Sequence, residues 1–129
     1  METQKIVLVI DQDRAMRETL IDVFAKLSDY HLLSFQEAQD FDDAEELINS
    51  ADLDVLVADV LTRRTPVGKE LIERAMTKHP KLAVVLVSAD PALYAENYPK
   101  RAVCLQKPFD ANQLLAAIDQ AKRMAAADC

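Results

Sequence analysis

The chain has 129 residues, half of them hydrophobic and 29% charged, with a formal net charge of −7. This composition is typical of one globular domain, and the acidic charge argues against a nucleic-acid-binding surface. No apolar run reaches the roughly 20 residues of a membrane span, and the first residues lack the layout of a secretory signal. Cys104 and Cys129 have neither metal-site nor disulfide spacing, so we expect a reduced, cytoplasmic protein.

Short apolar runs alternate with segments of helical periodicity along the whole chain. The predicted strands are residues 5–10, 31–35, 55–58, 82–87 and 102–105. A helix follows each strand, beginning near residues 14, 41, 66, 91 and 110. Thr65 is the predicted N-cap of the third helix, which His79-Pro80 ends. Asp110 opens the last helix, with Gln113 placed to complete a capping box.

This alternation predicts the α/β class. Strands that alternate with helices lie parallel, with right-handed crossovers and helices on both faces of the sheet. We therefore predict a single doubly wound five-stranded parallel sheet, order 2-1-3-4-5, with five helices. One domain spans residues 1–129, with its core at about 4–125 and a short tail at 126–129.

Polar side chains follow four of the predicted strands. Asp11 and Gln12 come after strand 1, Asp59 after strand 3, Ser88 after strand 4 and Lys107 after strand 5. In open α/β sheets, ligands bind at this edge, outside the carboxyl ends of the strands. Converging carboxylates suit Mg²⁺, while a hydroxyl and an ammonium suit phosphate oxygens. Because a carboxylate can be the nucleophile in phosphoryl transfer, the residues describe a site that makes and holds an aspartyl phosphate.

The order and spacing of these motifs resemble a receiver domain of a two-component response regulator over essentially the whole chain. The matching pieces are Val9-Ile10-Asp11-Gln12-Asp13 with Met16-Arg17, Asp59 after its apolar strand, Ser88-Ala89, and Lys107-Pro108-Phe109.

The resemblance implies that Asp59 accepts a phosphoryl group from a phosphohistidine of a sensor histidine kinase or a histidine phosphotransfer protein. Lys107 would pair with that group, and Ser88 would swing in to hydrogen-bond it, moving the face formed by helix 4, strand 5 and helix 5. The implied Mg²⁺ ligands are Asp11, Gln12, Asp59 and the backbone carbonyl of Leu61. The resemblance also implies a cis peptide bond before Pro108.

Further expectations concern assembly and turnover. The same face offers a homodimer contact, and no direct nucleic-acid or membrane partner is expected. The protein is expected not to be an enzyme beyond its own phosphoryl acceptance and autodephosphorylation. By the same resemblance, Leu61 flanks the phosphoryl group, and because its apolar side chain cannot position a water molecule we expect autodephosphorylation to be slow. The sequence leaves the output, the cognate kinase and the signal open.

Two departures from the family pattern keep alternatives open. Gln12 stands where the family has a second acidic Mg²⁺ ligand, and Cys104, expected to be buried, stands where it has a switch aromatic. They support a receiver-like interaction module with weakened or no phosphorylation. A remote alternative is a phosphohydrolase of the haloacid-dehalogenase type, since Asp11-x-Asp13 mimics the nucleophile and acid of that family.

Overall fold

The structure of the chain is a computed structural model that describes residues 5–10, 18–20, 22, 33–38, 45–46, 48–49, 53–59, 65–88 and 102–127. The strands are β1 (Lys5–Ile10), β2 (Leu33–Ala38), β3 (Leu53–Asp59), β4 (Ala83–Ser88) and β5 (Val103–Gln106). The helices α1 (Thr65–Lys78) and α2 (Ala111–Ala127) are the third and fifth predicted ones. Residues 18–20, 22, 45–46 and 48–49 are helical and belong to the first and second predicted helices. The fourth predicted helix lies outside the described residues.

The strands form one parallel sheet in the order β2-β1-β3-β4-β5. β1 pairs with β2 and β3, and β4 pairs with β3 and β5. The predicted α/β class with a parallel sheet is thus confirmed, and the strands follow one another in the predicted order. Since β2 lies at one edge of the sheet, the chain must pass over β1 to reach β3. β1 and β3 are therefore neighbours, and their C-terminal ends lie side by side at one crevice.

The core lies in two clusters, one on each face of the sheet. In the first, Ile48 of the second predicted helix and the α1 residues Leu71, Ile72 and Ala75 cover one face. In the second, Leu20 of the first predicted helix joins α2 side chains on the other face. Successive residues of the central strands belong to the two clusters in turn, which explains why these strands are apolar on both faces.

Helix α1 is tied at its C-terminal end to the second predicted helix. Lys78 Nζ donates a hydrogen bond to the Asn49 carbonyl at 2.7 Å, and His79 Nε2 lies 3.0 Å from the Ile48 carbonyl. Such groups satisfy carbonyls that a helix end leaves without partners. As predicted, α1 ends before His79-Pro80, and Leu82 N–H then closes the turn onto the His79 carbonyl at 2.9 Å.

Helix α2 begins with the predicted capping box. The Gln113 N–H donates to Asp110 Oδ1 at 2.8 Å, and the Asp110 N–H donates to Gln113 Oε1 at 2.9 Å. α2 continues through Ala127, into the first residues of the predicted tail, and the buried Ala125 agrees with a core that extends to about residue 125. Neither α2 nor any other helix in the described part of the chain is long and apolar enough to cross a membrane.

Other element boundaries also need correction. The second strand was predicted at residues 31–35, but β2 runs from Leu33 to Ala38, pairing with β1 along its whole length. Backbone pairing with a neighbour, rather than an apolar run, decides where such an edge strand ends. Thr65 is the first residue of α1 rather than its cap. β4 and β5 each lie one residue later than predicted, and β3 is longer at both ends.

Candidate functional site

Asp59 is the last residue of β3 and lies at the C-terminal edge of the sheet. Its backbone is in register with Val87 of β4, and the preceding Ala58 is in register with Ile10, the last residue of β1. Position 59 therefore lies between two central strands at the predicted switch point. Three of the four predicted metal ligands, Asp11, Gln12 and Leu61, lie outside the described residues.

Ser88 ends β4 one residue beyond the partner of Asp59 and is completely buried. It is the one buried polar residue in the described part of the chain. Its carbonyl accepts a hydrogen bond of 2.8 Å from the Lys107 N–H, immediately after the last β4–β5 register pair, Ser88 with Gln106. This bond fixes residue 107 beside residue 88.

Lys107 is partly buried, and the peptide bond that joins it to Pro108 is cis, as predicted. On its C-terminal side, the partly buried Phe109 packs against the core cluster that contains α2. Asp110 then caps α2. Residue 107 is the first after β5, and its backbone is held between the end of β4 and the segment that leads into a packed helix.

Sheet pairing thus brings positions 59, 88 and 107 to one edge. A carboxylate, a hydroxyl and an ammonium are the groups that phosphoryl transfer to an aspartate requires: a nucleophile, a donor and a positive charge. Carboxylates with neighbouring carbonyl oxygens also fit Mg²⁺, which prefers oxygen ligands. Among the described residues no cluster of three or more His, Cys, Asp or Glu occurs, and of the predicted Mg²⁺ ligands this part of the chain contains Asp59 alone.

Comparison with known protein families decides the assignment. Residues 7–119 match the family model of the response regulator receiver domain. The chain belongs to the response regulator receiver family. The match runs from Val7 in β1 to Asp119 in α2 and includes Asp11 and Asp59. The resemblance to receiver domains is therefore confirmed, and with it a place in two-component signal transduction.

Solved structures share the fold of this receiver domain at low sequence identity. A response regulator receiver protein from Sinorhizobium medicae is 23% identical, with a TM-score of 0.76 over 94% of this chain and 96% of that one. The chemotaxis protein CheY4 of Vibrio cholerae is 18% identical, with a TM-score of 0.71 over 92% and 99%. NtrX from Brucella abortus, solved in complex with ATP, is 22% identical, with a TM-score of 0.70 over 97% of this chain and 28% of its own. A comparison with curated proteins finds no significant match.

The prediction that Cys104 is buried in this receiver domain is wrong, because the residue is exposed. β5 is an edge strand, and its residues Val103 and Leu105 pack against the α2 cluster while Cys104 lies on the opposite side of the strand. Neighbouring atoms still desolvate the sulfur and raise the pKa of the thiol above its usual value. The thiol is therefore mainly protonated at neutral pH, and β5 presents a small side chain at this position.

One charged residue that the sequence analysis passed over lies at the opposite end of β3. Asp54 is partly buried, and its Oδ2 lies 3.4 Å from Lys122 Nζ of α2. The signal was available, since an acidic residue inside a buried apolar strand needs a partner. The sequence could not say which lysine supplies it.

Proposed function

We propose that this receiver domain is the phosphoacceptor of a two-component phosphorelay, with Asp59 taking the phosphoryl group from a phosphohistidine. The donor would be a sensor histidine kinase or a histidine phosphotransfer protein in the cytoplasm. Receiver domains of two-component systems interact with histidine kinases. The observation that carries the proposal is the pairing of Asp59 with Val87, next to the Ser88 carbonyl that accepts the Lys107 N–H at 2.8 Å.

The proposed transfer assigns one task to each residue. An Asp59 carboxylate oxygen attacks the phosphorus, and the phosphorus–nitrogen bond of the donor breaks. The imidazole leaves as a neutral ring, because its other nitrogen carries a proton in the phosphohistidine. The Lys107 ammonium balances charge that develops on the phosphoryl oxygens, and the Ser88 hydroxyl donates a hydrogen bond to one of them. Asp11, Gln12, Asp59 and the Leu61 carbonyl would hold Mg²⁺, which would supply further charge neutralisation when bound.

The proposed output is a change in the face formed by the fourth predicted helix, β5 and α2. Ser88 and Lys107 join the site to β5 directly, because the Ser88–Gln106 register pair and the Lys107 N–H bond follow one another. A shift of Ser88 toward the phosphoryl group would therefore displace the end of β5. The same face offers a contact for a second copy of the chain.

A second candidate function is an interaction module with weakened or no phosphorylation. The exposed Cys104 favours it, because a small side chain at the centre of β5 cannot exchange between an inward and an outward position as an aromatic ring can. Gln12 favours it too, since an amide brings no charge to Mg²⁺. The family assignment leaves the haloacid-dehalogenase alternative without support.

Intact-mass analysis after incubation with acetyl phosphate, with and without Mg²⁺, tests the proposal. We expect one phosphoryl adduct that requires Mg²⁺, is lost in Asp59→Asn and persists in Asp119→Asn, a control on the exposed face of α2. Adduct formation in Lys107→Met should slow about 100-fold, the effect of losing one charge-stabilising group, whereas the exposed control Lys81→Met should match the wild type.

The outcomes separate the candidates. A folded protein with no adduct at high Mg²⁺ would favour the interaction module. An adduct that survives Asp59→Asn but not Asp11→Asn would contradict the assignment of the nucleophile. We expect the adduct to outlast several minutes without a phosphatase, and loss within seconds would contradict slow autodephosphorylation.

A further inference from the structure

The start of β3 contains a β-bulge at Asp54. Ile6 of β1 is in register with Leu53, and the next residue, Val7, is in register with Val55, so Asp54 has no partner on β1. Leu53 and Val55 also belong to different core clusters, although residues two apart in a regular strand share a face. Bulges re-aim side chains, and this one turns the Asp54 carboxylate toward α2.

The Asp54 carboxylate depends on Lys122 for its electrostatic partner. Oδ2 is buried and accepts no hydrogen bond, and it lies 3.4 Å from Lys122 Nζ. About one third of each side chain is exposed, 31% for Asp54 and 33% for Lys122, so water screens the pair only in part. A buried carboxylate oxygen without a donor is costly unless a cation stays close, and this favours holding Lys122 in place.

The position of this pair along α2 gives it a mechanical consequence. Helix α2 starts at the functional edge, just after Lys107, whereas Lys122 lies eleven residues further on, roughly 17 Å along the helix axis. Near the start of α2 the large side chains Leu114 and Ile118 are completely buried against the sheet. Near its end the buried positions are Ala121 and Ala125, while the larger Met124 packs against the core but is only partly buried. Because a methyl group buries much less apolar surface, packing alone holds the C-terminal end of α2 less firmly.

We propose that the Asp54–Lys122 ion pair is an anchor that fixes the C-terminal end of α2 to β3. A movement that starts at Lys107 is then confined to the N-terminal part of α2, around residues 111–118. Asp54 and Lys122 act as positioning residues that determine where the partner-facing surface changes. This inference rests on the proposed function, because the movement is the one that phosphorylation of Asp59 would cause.

Hydrogen–deuterium exchange of α2 tests the anchor, with beryllofluoride and Mg²⁺ as the phosphoryl mimic. In the wild type we expect the mimic to change exchange in residues 111–118 and to leave residues 119–127 unchanged. In Asp54→Asn and in Lys122→Met the change should extend into residues 119–127. Arg123→Met is the matched control, because it breaks only the exposed ion pair of Arg123 with Asp119 at 3.2 Å.

The experiment distinguishes an ion pair that only stabilises the fold from one that anchors α2. A merely structural pair would speed exchange throughout the chain without moving the boundary of the mimic-induced change, and that result would overturn the proposal. The double variant Asp54→Asn/Lys122→Met removes both charges of the pair, so it provides a second sample if a single variant unfolds. A wild-type change that already reaches residue 127 would also overturn the anchor.

Failure of the proposed phosphoacceptor function can be told apart from failure of the anchor. If the wild type shows no response to the mimic, phosphoacceptance fails, and the anchor is then judged on exchange without the mimic. Residues 119–127 should exchange about fivefold faster in Lys122→Met than in Arg123→Met, because the Lys122 pair is the less exposed of the two. Equal rates in the two variants would overturn the anchor independently.

Discussion

Removal of the Asp110 cap should destabilise the protein by a predictable amount. Asp110→Ala deletes the oxygen that accepts the Gln113 N–H at 2.8 Å, and it removes a negative charge from the N-terminus of α2. Alanine at an N-cap costs about 1 kcal/mol. Because Asp110 is exposed, water can hydrogen-bond the Gln113 N–H in the variant. The loss of stability should therefore stay below about 2 kcal/mol, the upper end of the range for such substitutions.

Urea unfolding measures this effect. With a denaturant dependence of about 2 kcal/mol/M, the midpoint should fall by about 0.5 M, and the melting temperature by about 3–5 °C. Asp110→Asn keeps a capping oxygen and should retain most of the stability. Gln120→Ala is the control, an exposed glutamine on the same helix that takes no part in the cap; its effect should stay within about 0.5 kcal/mol.

Two results would refute the reasoning. If Asp110→Asn loses as much stability as Asp110→Ala, the negative charge rather than the hydrogen bond is the cause. If neither variant differs from the wild type, the capping box contributes nothing measurable to α2. A parallel loss of helical circular dichroism in the native baseline of Asp110→Ala would locate the effect at the helix terminus.

The remaining predictions concern the core and the thiol. Ile118→Ala should lower the free energy of unfolding, measured in urea, by about 2–5 kcal/mol, because Ile118 is completely buried. Leu115→Ala should lower it clearly less, because Leu115 is only partly buried. Equal losses in the two variants would contradict the assigned core. In a Cys129→Ser background, Cys104 should react with iodoacetamide more slowly than free cysteine at pH 7.5, since desolvation raises the pKa of its thiol and leaves less thiolate. The rate should keep rising with pH above about 9, and a plateau below pH 8.5 would show that the pKa is not raised.

The capping box and the strand ends show what local sequence can determine. Asp110 and Gln113 are three residues apart, so the motif needs no distant partner, and the predicted bonds are present. In the same way, a buried parallel strand must be apolar along its length, which made residues 5–10 recognisable as β1. The polar residue after each such run marks the edge where ligands bind in open α/β sheets, and this pointed to Asp59, Ser88 and Lys107 as candidates.

What the sequence by itself determined is therefore the α/β class, the candidate site and the local motifs, since each follows from residues close together in the chain. Only the tertiary structure decided the environment of Cys104, the extent of β2 and the partner of Asp54. Cys104 is exposed because it lies on the side of β5 that faces away from the α2 cluster, which the local sequence does not reveal. The length of β2 is set by its pairing with β1. The Asp54–Lys122 pair joins residues 68 positions apart, and a bulge that appears only in the paired sheet turns one toward the other.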